Sequence, residues 1–296
     1  MAVAARGMKA LQVYLEMIKF EHSVFALPFA LTGMVWGSVS MGTGGWPGWR
    51  VFLWIVVAMV SCRSAAMAYN RIADRDIDAD NPRTQMRAIP AGLLSLRHAN
   101  LFFFGSCAVF FLSAWMLNPL SSALSPIALG VTLFYSVTKR FTPLCHFVLG
   151  LSLGIAPSAA WIATTGQLAP APLLLTGAVL FWTAGFDIIY SLQDDAFDAE
   201  KGLRSLPQTF GRANALAVSR ICHFVAVLLL LLAAEAAWVS WPVHVGVLVV
   251  ASLLVYEQSL VKPDDLSKVN MAFFTLNGIV SLAFFAFVLA GRAVHR

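Results

Sequence analysis

The chain has 296 residues, of which 59% are hydrophobic and 12% charged, against about 25% charged in a soluble globular protein. That much apolar side chain cannot be hidden in a soluble core, so the composition excludes an ordinary soluble domain and points to lipid as the solvent. The formal net charge of +5 resides in short loops between apolar runs, which reads as membrane topology and excludes a nucleic-acid partner.

Taken in chain order, Met8 to Phe20 carries Leu11, Tyr14, Leu15 and Ile18 at helical spacing and is expected to lie along the membrane surface. Glu16 and Glu21 interrupt it, so it does not read as a cleaved leader. Apolar runs near the length that crosses a bilayer follow at about 23 to 41, 51 to 69, 99 to 117, 120 to 137, 144 to 163, 172 to 191, 215 to 235, 243 to 260 and 271 to 290. The expected fold is all-α, a polytopic membrane protein with about nine transmembrane helices in one domain over 1–296. The thinnest division is Asn118-Pro119, which alone separates the third run from the fourth.

Basic residues set the orientation. A cytoplasmic N-terminus places Arg6, Lys9 and Lys19 inside, then Arg71, Arg75, Arg83, Arg87 and Arg97, then Lys139 and Arg140. Lys201, Arg204, Arg212, Arg220, Lys262 and Lys268 complete the inside set. Only Arg50, Arg292 and Arg296 fall outside, with Arg63 inside a span, which accounts for all 20 Lys and Arg. The expectation is an integral membrane protein with its N-terminus in the cytoplasm. The four cysteines have no paired spacing and the six histidines no metal-ligand spacing, so both read as packing residues.

Eight of the 15 acidic residues crowd into two short segments: Asp74, Asp76, Asp78 and Asp80, then Asp194, Asp195, Asp198 and Glu200. The first reads Asn70-x3-Asp74-x3-Asp78 where the second span ends, and the second reads Tyr190-x3-Asp194-x3-Asp198 where the sixth ends. On a helix, residues four apart share a face. Both aspartates recur at the same offset with four spans between, which suggests a pseudo-repeat of four helices, about 20–140 and 141–260, with an extra helix at about 270–290. Both motifs close even-numbered spans, so they emerge on one side, expected to be cytoplasmic, and can meet across a central cavity. Clustered carboxylates at the edge of a bilayer need a counter-charge. Mg²⁺ suits them, because it prefers oxygen ligands and is commonly held by one or two carboxylates together with substrate phosphates. Solvated loop charge would explain one such segment; the duplicated spacing favours a site. A transporter also uses repeats and intramembrane carboxylates, but places them near the midplane rather than at span ends.

The segment from Asn70 to Gly92, NRIADRDIDADNPRTQMRAIPAG, resembles the first signature of the UbiA superfamily of membrane prenyltransferases, closest to its 4-hydroxybenzoate polyprenyltransferase branch. Tyr135 to Thr142 (YSVTKRFT), Tyr190 to Ser205 (YSLQDDAFDAEKGLRS) and Lys19 to Pro28 (KFEHSVFALP) extend the resemblance over essentially the whole chain. It implies a nine-helix bundle around a cavity open to lipid, with Mg²⁺ as cofactor. Asn70, Asp74, Asp78, Asp194 and Asp198 would form the metal site, the four aspartates being catalytic. Arg83, Arg87, Lys139 and Lys201 would contact a diphosphate, and Arg140 with Tyr135 an aromatic acid. One departure is Arg71, where many members carry Asp.

The expected activity is Mg²⁺-dependent transfer of a polyprenyl group from its diphosphate to an aromatic acid, 4-hydroxybenzoate foremost and hydroxynaphthoate as the alternative, leading to ubiquinone or menaquinone. The expected partners are these two substrates and the bilayer, with no obligate protein partner. Loss of pyrophosphate would leave an allylic cation, which the ring attacks beside its hydroxyl. Pyrophosphate, Asp187 or Asp195 would take the ring proton. Phe102, Phe134, Tyr135, Phe181 and Trp182 were candidates to face the cation, most of them more simply packing residues.

Overall fold

In lipid, backbone N–H and C=O groups must pair within their own segment, so each apolar run is a helix. In the computed structural model, which describes residues 13–14, 16–18 and 23–294, the order is α1 (Ser23–Ser40), α2 (Trp49–Ala73), α3 (Arg75–Asp80), α4 (Leu96–Leu117), α5 (Pro119–Thr138), α6 (Cys145–Thr165), α7 (Pro170–Ser191), α8 (Asp195–Glu200), α9 (Leu206–Phe210), α10 (Arg212–Ala236), α11 (Trp241–Leu260) and α12 (Asn277–Val294), the last preceded by a π-helical segment, Met271–Leu276. Among the described residues, 8 of these helices are long and apolar enough to cross a membrane, and the apolar part of α1, Phe25–Ser40, is a shorter ninth. The expected surface helix over Met8 to Phe20 lies mostly outside the described residues. Met17 and Ile18, which are described, are buried against Ala68, Leu94 and Ala99.

Asn118 divides α4 from α5 alone. Its backbone is extended (φ −163°, ψ 167°) and its side-chain oxygen accepts from Ser121 N, capping α5 ahead of Pro119 at the first helical position. Its amide also donates to Ile162 O at 2.8 Å, tying the turn to α6. One residue thus reverses the chain because it satisfies both the new helix and its neighbour.

The helices pack through small residues, as expected where lipid offers no hydrophobic drive between them. A Cβ at Gly33 would sit 2.1 Å from the Pro157 carbonyl oxygen, and one at Gly150 would sit 2.2 Å from that of Leu180. These glycines let α1 cross α6, and α6 cross α7, at backbone contact. Phe29, Trp182, Phe186 and Phe284 fill the centre between α1, α7 and α12. At the α7–α11–α12 junction Trp182 Nε1 donates to Asn277 Oδ1 at 2.7 Å. Asn277 in turn donates to Glu257 Oε1 at 3.2 Å. The wide π-helical turn directly before Asn277 is the kind of local insertion that bends a helix and re-aims a side chain.

The expectation that each acidic motif lies on one continuous helix face is corrected. The span α2 ends at Ala73, Asp74 bends the chain (φ −95°, ψ 8°), and the short α3 carries the rest of the motif. The span α7 ends at Ser191, and α8 starts after Asp194 (φ −108°, ψ 1°). Backbone bonds bridge each bend, with Asp78 N to Asp74 O and Asp198 N to Asp194 O both at 2.7 Å. The physical reason lies in helix electrostatics: each short helix has two acidic residues in its first turn, Asp76 and Asp78 or Asp195 and Asp198, where the positive end of the helix dipole favours them.

Candidate active site

A cavity of about 1090 Å³ runs inside the bundle, from Asp74, Asp78, Asp194 and Asp198 at one end to Leu117, Ala163, Leu168 and Leu173 at the other. Helices of 20 to 25 residues at 1.5 Å per residue make that path roughly 30 Å, the thickness of the hydrocarbon core. The acidic end is polar and the shaft apolar, so one molecule with a charged head and a long hydrocarbon tail matches both ends.

The two motifs converge through ion pairs that cross between them. Arg83, in the loop after the first motif, donates Nε to Asp194 Oδ1 of the second at 2.9 Å, and a second bond joins its Nη2 to Asp194 Oδ2. Its Nη1 reaches Tyr190 Oη at 3.0 Å. Lys139 lies 3.2 Å from Asp198 Oδ1, and Arg87 holds both Asp78 oxygens at 2.7 and 2.8 Å. Asp74 accepts from Arg140 at 3.0 Å and from Asn70 Nδ2 at 2.9 Å. Every motif aspartate therefore has at least one cationic partner, the compensation that carboxylates at a membrane edge require.

Burial and charge act in opposite senses here. Desolvation raises the Asp74 carboxyl pKa above its ordinary value, against the Arg140 hydrogen bond that lowers it. For Arg83 burial disfavours the charge, but the bonds to Asp194 outweigh it and the guanidinium pKa is raised. Arg212 holds Asp195 below the usual carboxylate range.

The predicted site residues divide into two groups. Asn70, Asp74, Asp78, Asp194, Asp198, Arg83, Arg87, Lys139 and Tyr135 all line the cavity. Lys201 and Arg140 are not among its lining residues: Lys201 Nζ bonds Asp80 Oδ2 at 2.7 Å, and Arg140 Nη2 bonds Ala73 O at 2.7 Å beside Asp74. Asp195 is also outside, in two bonds to Arg212 at 2.5 and 3.0 Å. Arg71, where Asp is common in the resemblance, is buried and donates to Asn70 Oδ1 at 3.2 Å, with Asp78 4.0 Å away.

Of the five aromatic residues singled out, only Tyr135 lines the cavity; Phe102 stacks on Tyr14 and Trp182 is committed to Asn277. The aromatic wall is built instead from Phe25, Phe186, Tyr190, Phe273 and Phe274, with Tyr190 stacked on Phe273 at 4.1 Å. Its signal was in the sequence, since Phe186, Tyr190 and Asp194 are four apart and share a face. Two more residues join the site. Arg63 lines the shaft, and an Arg within a span is a functional candidate by its cost alone. His146, read as packing, lines the cavity and pairs with Asp187 at 2.7 Å.

The donor set fits Mg²⁺ in kind. All candidate ligands are oxygens, and the ion prefers oxygen with several positions left to water and phosphate. Among the described residues no three His, Cys, Asp or Glu side chains form a ready-made metal cluster. Two carboxylates per motif would leave coordination to be completed by water and phosphate oxygens, the usual arrangement for this ion.

Residues 27–288 match the model of the UbiA prenyltransferase family. A 4-hydroxybenzoate octaprenyltransferase of Methylobacillus flagellatus is 31% identical over 286 residues, covering 95% of this chain and 93% of the relative. Another of the same name, from Aliivibrio fischeri, is 32% identical over 83% of this chain and 86% of its own length. Among solved structures, an apo UbiA homologue from Aeropyrum pernix K1 superposes with a TM-score of 0.81 and 34% identity, over 91% of this chain and 98% of that one. A UbiA homologue from Archaeoglobus fulgidus bound to GPP and Mg²⁺ has the same fold, with a TM-score of 0.71 at 20% identity over 95% and 99% of the two chains.

Proposed function

The chain belongs to the UbiA prenyltransferase family, and from that premise we propose that it transfers a polyprenyl group from a polyprenyl diphosphate to 4-hydroxybenzoate, at an acidic end facing the cytoplasm. The observation that carries this reading is the convergence of both acidic motifs on the mouth of one membrane-length cavity. The names of the relatives support the acceptor, and the ligands of the Archaeoglobus fulgidus homologue support Mg²⁺ and a prenyl diphosphate.

Asp74 and Asp78, with Asn70, would hold one ion, and Asp194 and Asp198 a second. Mg²⁺ supplies charge neutralisation for the departing pyrophosphate. The protein's own groups do the remaining work. Arg83, Arg87 and Lys139 stand beside the aspartates, so their N–H groups are placed to grip phosphate oxygens as charge develops there. Arg71 adds a buried cation to the same end. Phe186, Tyr190, Phe273 and Phe274 offer ring faces to an allylic cation and keep water from it. The tail occupies the apolar shaft, where each buried CH₂ contributes about 0.8 kcal/mol.

The acceptor's carboxylate needs a cation inside the cavity. Arg140, assigned to it by resemblance, is engaged at the rim with Ala73 O and Asp74. Arg63 lies on α2 eleven residues before Asp74, on the order of 16 Å deeper along the helix, and lines the shaft. We assign the carboxylate to Arg63, which turns the hydroxyl end of the ring toward the diphosphate.

The test is transfer by purified protein in nanodiscs, with geranyl or octaprenyl diphosphate offered alongside 4-hydroxybenzoate or a hydroxynaphthoate. The expected product is a 3-prenylated 4-hydroxybenzoate formed with stoichiometric pyrophosphate release and lost on EDTA treatment. Transfer to the naphthoate alone would reassign the acceptor, and no transfer to either ring would overturn the reading.

A further inference from the structure

Prenyl transfer to a ring releases a proton. The C–O bond to the diphosphate breaks with its electron pair leaving on pyrophosphate, and a ring π pair forms the new C–C bond. The ring then regains aromaticity only when the C–H bond at the attacked carbon breaks and its pair returns to the ring. We propose that Asp187 is the base that takes this proton, and that His146 is the positioning residue that holds it ready. This rests on the aromatic-acid reading above and adds to it the owner of the proton.

Asp187 and His146 both line the cavity, His146 being 2% exposed. Asp187 stands on α7 seven residues before Asp194, on the order of 10 Å deeper along the helix. It is therefore between the metal-binding mouth and the level of Arg63, where a ring anchored by its carboxylate would present its hydroxyl end. His146 Nδ1 is 2.7 Å from Asp187 Oδ2. On the other side of the ring, the Leu206 backbone N–H donates to His146 Nε2 at 3.3 Å. A nitrogen that accepts carries no hydrogen in the neutral ring, so the ring hydrogen is on Nδ1 and is donated to Asp187. Leu206 opens α9, and its N–H is one of the helix-start donors that need an outside partner. The turn at the mouth of the bundle thus fixes the imidazole, the imidazole fixes one carboxylate oxygen, and the other oxygen remains to meet a substrate.

The rival acceptors are less suited. Asp195 is tied to Arg212 outside the cavity. Pyrophosphate leaves among Arg83, Arg87 and Lys139, whose charges make its oxygens poorer proton acceptors. The titratable groups clustered with the pair are Tyr135 from α5, Cys145 from α6, and Arg71 and Asp74 from the end of α2.

Asp187→Asn, assayed in nanodiscs with Mg²⁺, geranyl diphosphate and 4-hydroxybenzoate, is expected to lower kcat by about 10² to 10⁴-fold, the usual weight of a general base. Its KM for geranyl diphosphate stays within a few-fold. With acceptor deuterated at the attacked carbon, a primary isotope effect appears in the variant and not in the wild type, because proton removal has become the slow step. His146→Ala is expected to lower kcat by about 10-fold with the KM for geranyl diphosphate within a few-fold, and to bring out part of the same isotope effect, since a carboxylate that has lost its fixed donor is less well placed to take the proton. His146→Gln, which retains a donor and an acceptor, returns kcat toward wild type and removes the isotope effect; a role in folding alone would produce no isotope effect in either variant. Geranyl diphosphate binding in the presence of Mg²⁺ reports that each variant is folded, and Asp187→Glu, expected to keep part of the activity, stands in should Asp187→Asn fail that check. Wild-type kcat in Asp187→Asn, or loss without an isotope effect, overturns the inference alone. A wild-type protein that prenylates no aromatic acid overturns the function and the inference together.

Discussion

The carboxyls at the cavity mouth and the one at the α7–α11–α12 junction differ in their surroundings. At the mouth, Asp74, Asp78, Asp194 and Asp198 line an open volume and are matched by Arg140, Arg87, Arg83 and Lys139. At the junction, Glu257 is 0% exposed, is not among the residues lining that cavity, and its partner is the neutral Asn277. Acids in a membrane chain are costly wherever they are placed. The cost is met at the mouth by cationic side chains that border an open volume. At the junction it is met by fixed hydrogen bonds that hold three helices together.

Removing a carboxylate from each region should therefore break different things. Asp74→Ala and Asp194→Ala are expected to abolish transfer, by at least about 10³-fold, while the protein stays inserted and monodisperse. Prenylation of 4-hydroxybenzoate measured beside thermal unfolding separates the two effects, and wild-type-like turnover in either variant would sink the metal assignment. Arg83→Ala is next in size, a loss of about 10 to 100-fold in kcat/KM from one guanidinium that grips phosphate. The effect should fall on the diphosphate substrate rather than on the aromatic acid.

The same contrast explains what could be read without coordinates. Hydrophobic length gave the spans, and duplicated Asp-x3-Asp spacing gave the mouth, because both are local patterns in chain order. The bends at Asp74 and Asp194 were hidden, since an i, i+4, i+8 pattern is equally compatible with a straight helix and with two helices joined by a bend. Pairings across the bundle were hidden as well. Nothing local tells that Arg83 reaches Asp194 or that His146 meets Asp187, partners 111 and 41 residues apart. Arg63 was legible as an oddity within an apolar span, but no motif around it gave it a role. Glu257 raised no signal, because its partner Asn277 belongs to another helix.

At the junction, Asn277→Ala should lower stability by about 1 to 3 kcal/mol, because it strands the Trp182 indole N–H and Glu257 Oε1 without partners in a dry interior. Glu257→Gln keeps an acceptor oxygen for Asn277 and should change turnover by less than about threefold. Unfolding midpoints in the same nanodiscs check the first variant and the transfer assay the second. A Glu257→Gln enzyme with no activity would mean that the junction takes part in the reaction, and the contrast between the two regions would fail.

The smallest expected effect tests how sharply the mouth is bounded. Lys139 and Lys201 are equally exposed, at 33% and 32%, but the carboxylates they hold are not: Asp198 is 3% exposed and lines the cavity, whereas Asp80 is 58% exposed and does not. If the partner defines the role, Lys139→Ala should cost about 10 to 100-fold in kcat/KM for the prenyl diphosphate. Lys201→Ala should change it by less than about threefold, as for a solvent-screened surface pair. The resemblance that groups both lysines with the diphosphate predicts equal losses instead. A loss at Lys201 matching that at Lys139 would mean that the loop after α8 closes over the bound head, carrying Lys201 from Asp80 to the phosphate.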